Sequence, residues 1–371
     1  MKPYHFLPIF ITLIAGYLGT HFYAARWLAK SFALAPSAAS WVRFLLLAAA
    51  FLSPFTMFLK QKFHSPALEA LYTAGYTWMG VILIAGFMFF CSDLAAFALR
   101  RLGQAGTLSY LPPLTLAALA VILAWALYGG LKTPPIKEIT IPIKNLPPAL
   151  DGFKIVQISD MHVDSDWKLR EFSGIVDRIN AASPDLVLVT GDLIDPGITC
   201  NEGLMELASK IKSRLGLYGS LGNHEYYYGL DKSAGCYKAF GIKLLKNESL
   251  ELKDLRLIGL GDIHTEHLSE IDVTAILKKA GNEKFTILMS HQPVYYKAIA
   301  AAGDYLVFSG HTHRGQIFPF NIFTKAFYPY FYGLYHINNS VFYVTSGTGT
   351  WGPPMRWLAP SEIPIITLRP A

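Results

Sequence analysis

The chain is short of cysteine and of charge. Cys91, Cys200 and Cys236 are its three cysteines in 371 residues. Cys91 lies in an apolar stretch and the other two lack the paired spacing of a thiolate zinc site, so neither such a site nor a disulfide framework is expected. Charged residues make up 16% of the chain against 52% hydrophobic, and mean hydropathy is +0.33. That balance is too apolar for one ordinary soluble protein. No run of Lys and Arg and no nucleic-acid motif accompanies the net charge of +6, so no nucleic-acid partner is expected and the reading is a mildly basic membrane protein. Residues 3 to 25 hold no Asp, Glu, Lys or Arg and are followed by no small-residue cleavage site, which reads as a retained span rather than a signal peptide.

The apolar excess lies before residue 132, in four segments at about 3–25, 41–59, 71–92 and 107–131. At ~1.5 Å per helical residue such segments cross a hydrocarbon core of ~30 Å, the second with the help of a snorkelling Arg43. Tyr4, Trp27, Trp41, Tyr72, Trp125 and Tyr128 stand near their ends, where amphipathic rings favour the headgroup region. The expectation is a four-helix transmembrane domain over 1–131, a multi-pass membrane protein with the lipid bilayer as partner. Pro8, Pro54, Pro112 and Pro113 are tolerable where neighbouring helices re-satisfy the backbone. Asp93, at the end of the third segment, reads as interfacial. Arg26, Lys30, Arg43, Arg100 and Arg101 nearly balance Lys2, Lys60, Lys62, Lys132, Lys137 and Lys144 across the two faces, with a slight lean to a cytoplasmic catalytic domain.

Residues 132–150 are rich in Pro and Lys, and Glu138 to Ile141 alternates as an edge strand or extended connector. From 151 to 371 strand-like runs alternate with helical ones. Strands are expected at 153–158, 185–189, 215–221, 255–260, 285–289, 305–308 and 341–345, with helices at 168–182 and 272–280. This is an α/β domain, whose ligand site belongs at the carboxyl ends of its strands.

Polar groups cluster at those ends. Asp160 and His162 follow Ile158; Asp192 and Asp195 follow Val189; Asn223, His224 and Glu225 follow Leu221; His291 follows Met289; His311 and His313 follow Phe308. A lone His or a Gly-Asp pair is ordinarily a packed side chain or a turn. Five such runs in order, each at a strand end, are not explained as turns. Oxygen and imidazole ligands without thiolate suit Mn, Fe or Zn, and Asp192 has two oxygens with which to bridge two ions.

The set Asp-x-His, Gly-Asp-x-x-Asp, Gly-Asn-His-Glu, His and Gly-His-x-His over residues 153 to 313 resembles the calcineurin-like metallophosphoesterase superfamily. The resemblance implies a four-layer α/β/β/α sandwich around two divalent metal ions. Asp160, His162, Asp192 and His313 would hold one metal; Asp192, Asn223, His291 and His311 would hold the other. His224 would be the general acid for the leaving alkoxide, oriented by Asp195, while a metal-bridging hydroxide attacks phosphorus. Glu225 would support the turn.

Departures from the superfamily narrow the substrate. Pro196 and Gly197 follow Asp195 where protein phosphatases carry Arg. The continuation from Gly310 to Gln316, with Ser346 to Thr350, resembles the membrane-associated branch, which includes transmembrane metallophosphoesterases and UDP-2,3-diacylglucosamine hydrolases, although Arg314 stands where most of that branch has Gly. Arg356 and Arg314 are candidate substrate contacts, Arg356 as a guanidinium fork for phosphate. An aromatic run from Phe318 to Tyr335 reads partly as packing and partly as a lipid-side entrance. The expected function is hydrolysis of a phosphodiester or pyrophosphate bond in a lipid-linked substrate. The alternatives are a soluble nucleotide-type substrate, or a non-catalytic sensor or scaffold.

Overall fold

The computed structural model describes residues 3–60, 62–63, 65–164, 166–195, 200, 202–281 and 283–371. Pro196 and Gly197 therefore lie outside the described residues. The chain divides into two units, one of 1–129 with 317–319 and 352–357, the other of the remaining residues.

In the first unit, three helical stretches among the described residues are long and apolar enough to cross a membrane: Pro36–Lys60, Pro66–Arg101 and Ala105–Leu131. The expected span at 3–25 falls within a helix Pro3–Ser31 that is not one of the three. The expected boundaries shift for local reasons. Pro36–Lys60 is two helices, Pro36–Ala50 and Leu52–Lys60, separated at Phe51. The stretch expected at 71–92 is a 36-residue helix starting at Pro66, which needs no N–H in the first turn, with the Ser65 hydroxyl accepting from the Leu68 N–H at 3.2 Å. Asp93 consequently lies inside this helix, exposed, and accepts a hydrogen bond from the Tyr23 hydroxyl at 2.8 Å. Pro112 and Pro113 sit in the first turn of Leu111–Leu131, where they break no helical hydrogen bond.

Small residues let these helices approach. Trp27 stacks on Phe89 with ring centroids 4.0 Å apart, beside buried Ala24, Ala85 and Ala126. Ile317 and Met355, from the chain's distal part, are buried in the same cluster, and the Arg356 N–H donates to the Ala126 carbonyl at 2.8 Å.

Among the described residues the second unit holds twelve strands: β1 Ile136–Ile143, β2 Lys154–Ile158, β3 Leu186–Thr190, β4 Leu217–Ser220, β5 Ile242–Leu244, β6 Glu248–Leu252, β7 Leu255–Gly259, β8 Phe285–Met289, β9 Tyr305–Ser309, β10 Gly333–Ile337, β11 Ser340–Val344 and β12 Ile363–Pro370. They form two mixed sheets ordered β1-β12-β2-β3-β4-β5 and β10-β11-β9-β8-β7-β6. The segment expected as an edge strand is β1, at the edge of the first sheet, where Pro142 needs no ladder partner on its free side.

Alternation sorts the strand residues. Ile155, Leu186 and Leu188 share one core with Leu257, Ile287, Met289 and Phe308 of the other sheet. Their neighbours Val156, Ile158, Val187 and Val189 instead meet Phe172, Ile175 and Ile179 of the helix Asp166–Ala182. Ile258, Leu288 and Val307 of the second sheet meet Val273 and Leu277 of the helix Glu270–Ala280. Being buried on both faces, these strands read as continuous apolar runs, and their polar residues are left for the strand ends.

Candidate metal centre

Five parallel strands deliver the site. β2, β3 and β4 of one sheet end just before Asp160, Asp192 and Asn223, while β8 and β9 of the other end just before His291 and His311. The chain turns sharply there. Asp160, His162, Asp192, His311 and His313 have φ of 56°, 48°, 51°, 69° and 48°, the left-handed region that few residues with a side chain occupy. Five strained residues at one place is the pattern of a functional site, and Asp and His are among the types that tolerate it. Glycine is required at two flanking positions. A Cβ on Gly222 would strike the Asp192 carboxylate, and one on Gly310 would strike Asp160 and Ser159.

The side chains converge as three clusters with metal-binding geometry: Asp160, His162 and His313; His162, Asp192 and His224; and Asp192, His291 and His311. His162 Nε2 lies 3.0 Å from His313 Nε2 and 3.8 Å from Asp192 Oδ2. On the other side, His291 Nε2 lies 3.0 Å from Asp192 Oδ2 and 3.2 Å from His311 Nδ1. Asp192 thus stands between the two halves. Two acceptor atoms, Asp160 Oδ2 and Asn223 Oδ1, are buried with no hydrogen-bond partner. Buried acceptors are ordinarily satisfied, and imidazole nitrogens do not ordinarily face each other in pairs. Divalent cations would satisfy both, so the donor set fits the expected ions.

A layer behind these side chains aims them. His291 Nδ1 is 2.8 Å from the Thr190 carbonyl, which places its proton there and turns Nε2 to the site. Asp195 Oδ1 lies 3.0 Å from His162 Nδ1 and 2.5 Å from His224 Nδ1, the second contact lying outside hydrogen-bond direction. Asp195 thus hydrogen-bonds His162 and lies against His224, and the contact to His162 is one that the sequence reading did not contain. Glu225 is fully buried and accepts the N–H groups of Asp192, Leu193 and Gly222 at 2.9, 2.8 and 2.8 Å. It ties the Asp192 turn to the Asn223 turn. Lys168, also buried, donates to the carbonyls of His162 and Thr350. On a helix otherwise marked by its apolar face, it carries no sequence signal of this role.

Electrostatics follow from this packing. Burial alone would raise Asp192, but His291, His224 and His162 hold it well below the usual carboxylate range. Burial works against Asp195 too, and His162 and His224 outweigh it, keeping it ionised. Burial opposes protonation of His224, yet Asp195 and Asp192 push it up to about 9. Burial and the adjacent His291 hold His311 down at about 3, neutral and free to ligate.

Over residues 153–315 the chain matches the family model described as calcineurin-like phosphoesterase. An uncharacterized metallophosphoesterase of Campylobacter jejuni is 35% identical over 261 residues, covering 69% of each chain. The chain belongs to the calcineurin-like phosphoesterase family. An uncharacterized metallophosphoesterase of Helicobacter pylori is 37% identical over 247 residues, 66% of each chain, so the match spans about two thirds of such a relative's length. A transmembrane protein with metallophosphoesterase domain from Danio rerio is 33% identical over 273 residues, 70% of this chain and 62% of that one. Among solved structures, a dimetal phosphatase from Danio rerio aligns at a TM-score of 0.36 and 12% identity over 55% of this chain and 90% of that one, too distant to argue from.

The remaining sequence candidates divide. Arg314 follows the family ligand motif, and its guanidinium lies over the Tyr332 ring, 4.3 Å from the centroid. Arg356, expected as a phosphate fork, is buried and groups with the apolar helices of the first unit. The aromatic run also splits. Tyr328 places its hydroxyl 2.9 Å from His311 Nε2, fixing a ligand from behind, and Tyr330 packs on Tyr296. Phe320, Phe323 and Phe327 instead point outward from an exposed face of the helix Phe320–Phe327. The expectation of no disulfide is corrected: Cys200 and Cys236 are bonded, with Cα atoms 5.7 Å apart. Their 36-residue separation gave no spacing cue.

Proposed function

We infer that this family member is a membrane-anchored, metal-dependent phosphoester hydrolase. The observation that carries the reading is the convergence of the ligands around Asp192, with two orphaned buried acceptors among them. Asp160, His162, Asp192 and His313 would hold one divalent ion, and Asp192, Asn223, His291 and His311 a second. Such ions generate a nucleophile from water at neutral pH and offset the charge gathering on the phosphoryl oxygens. His224, protonated at neutral pH and steadied by Asp195, donates its proton to the departing oxygen. We read the two sheets and their flanking helices as the family's four-layer fold, and the apolar helices as a multi-pass anchor in which Pro3–Ser31 is the fourth span.

The substrate we propose is a lipid-linked phosphodiester or pyrophosphate. What favours it over a soluble nucleotide is the helix Phe320–Phe327. Ile322, Phe323 and Phe327 are 59%, 59% and 69% exposed there, one residue before the Tyr328 that holds His311. An exposed apolar helix face of this kind suits the headgroup boundary of a bilayer. Elemental analysis of the full chain in nanodiscs should find close to two transition metals per chain. Asp192→Ala and His224→Ala should abolish turnover of bis(p-nitrophenyl) phosphate; full activity in His224→Ala would refute the acid role.

A further inference from the structure

We propose that Tyr227 and Trp351 form a subsite for the leaving group, and that it takes an apolar moiety, either a flat ring or a hydrocarbon chain, carried by the departing oxygen. The proposal rests on the reading of His224 as the acid that faces the leaving group.

Two large rings lie beside that imidazole. The Tyr227 ring centroid lies 5.3 Å from that of His224 and the Trp351 centroid 6.0 Å, both edge-on. Both rings are open to solvent, Tyr227 at 65% and Trp351 at 52%. Among three consecutive tyrosines the neighbours are committed elsewhere. Tyr226 donates to Glu266 at 2.8 Å, and Tyr228 packs against the core. Tyr227, three residues after His224 on one short helix, is left beside the acid.

Trp351 is held there by its backbone. Its N–H donates to the side-chain Oε1 of Gln316 and its C=O accepts from the side-chain Nε2 of Gln316, each at 2.9 Å. Gln316 itself adopts φ 51°, and the preceding Thr350 carbonyl is held by buried Lys168, which also grips His162. A strained glutamine and a buried lysine thus fix an exposed indole beside the acid. Core packing does not require that ring, because half of it is in water. Exposed aromatic faces recognise flat or apolar groups by stacking and desolvation rather than by charge.

The test uses the full-length, metal-loaded protein in nanodiscs and three phosphonates whose C–P bond does not hydrolyse: methyl-, benzyl- and hexylphosphonate. Calorimetry should show benzyl- or hexylphosphonate binding about tenfold tighter than methylphosphonate, in keeping with one good aromatic contact on each side. Trp351→Ala and Tyr227→Ala should each collapse that ratio toward one, and Trp351→Phe should restore most of it. A preference for benzyl alone assigns a ring, and one for hexyl alone a chain. Equal affinity for all three in the unmodified protein, or an unchanged ratio in both alanine variants, overturns the subsite. Loss of the acid role, read as unaltered turnover in His224→Asn, is a separate outcome that leaves these ratios standing.

Discussion

Glu225 and His224 act on the site in different ways. Glu225 gathers three backbone N–H groups from two ligand turns with one carboxylate. Glu225→Gln replaces one acceptor oxygen by a donor and leaves a buried N–H opposed, at a cost of about 1–3 kcal/mol. The expected result is a lower melting temperature together with a 10- to 100-fold weaker metal affinity, roughly what loss of a ligand-orienting contact produces; metal titration with a fluorescent chelator measures it. His224 gives a different signature. Its folded value of about 9 lies above the ordinary ~6.5 for an unfolded chain, so its contribution to stability is complete below about 6.5 and is lost as pH rises through 9. Metal-free protein should therefore lose melting temperature between those values more steeply than His224→Asn. In turnover the variant should be ~10²- to 10⁴-fold slower and should lack the alkaline limb of the unmodified protein. The proposed ligand positions stood out in the sequence because Asp-x-His and Gly-His-x-His put chemistry directly after apolar runs. Glu225 was expected to support its turn or a contact behind the ligands, whereas Lys168 was assigned no contact, since a buried base between two loops looks in sequence like any other Lys.

At the level of elements, strands buried on both faces announced themselves. β8 falls where the run Phe285 to Met289 placed it, and β2, β3 and β9 lie within a residue of their expected ends. Four strands were missed: β5 has three residues, β12 carries Pro364 and Pro370, and β6 and β10 are five-residue strands at the two edges of the second sheet, with no fully buried residue to mark them. The helix Phe320–Phe327 hid inside an aromatic run bounded by Pro319 and Pro329, although proline at either side of a segment is ordinary helix punctuation. Its outward face makes a direct prediction. Phe323→Asp with Phe327→Asp should lower turnover of phospholipid in vesicles at least tenfold and leave that of a soluble diester within twofold; equal loss on both would show that the helix supports the fold rather than meeting lipid.

For the molecule as a whole, the cysteines and the basic residues point in opposite directions. Near-balanced charge across the loops leans slightly to a cytoplasmic catalytic unit, whereas a Cys200–Cys236 bridge persists in oxidising compartments. The bridge lies in the second unit, apart in sequence from the helices long and apolar enough to cross a membrane, so its redox state would report on the side that unit occupies. Alkylation of intact cells with a membrane-impermeant maleimide, before and after reduction, should label both cysteines only after reduction. Labelling only after lysis would put the unit inside. Orientation was hard to read because it depends on a small difference between two similar sums of charge.

The left-handed turns under Asp160, His162, Asp192, His311 and His313 also bear on how such chains change over time. A relative that lost the chemistry while keeping the fold would carry Asn or Gly at these places, since both accept the turn without a carboxylate or an imidazole. One carrying Val or Ile there would have lost the turn itself. The backbone thus restricts which silent descendants of this site can exist, and a change to Asn at position 192 is the mark by which a retired enzyme would be told from a broken one.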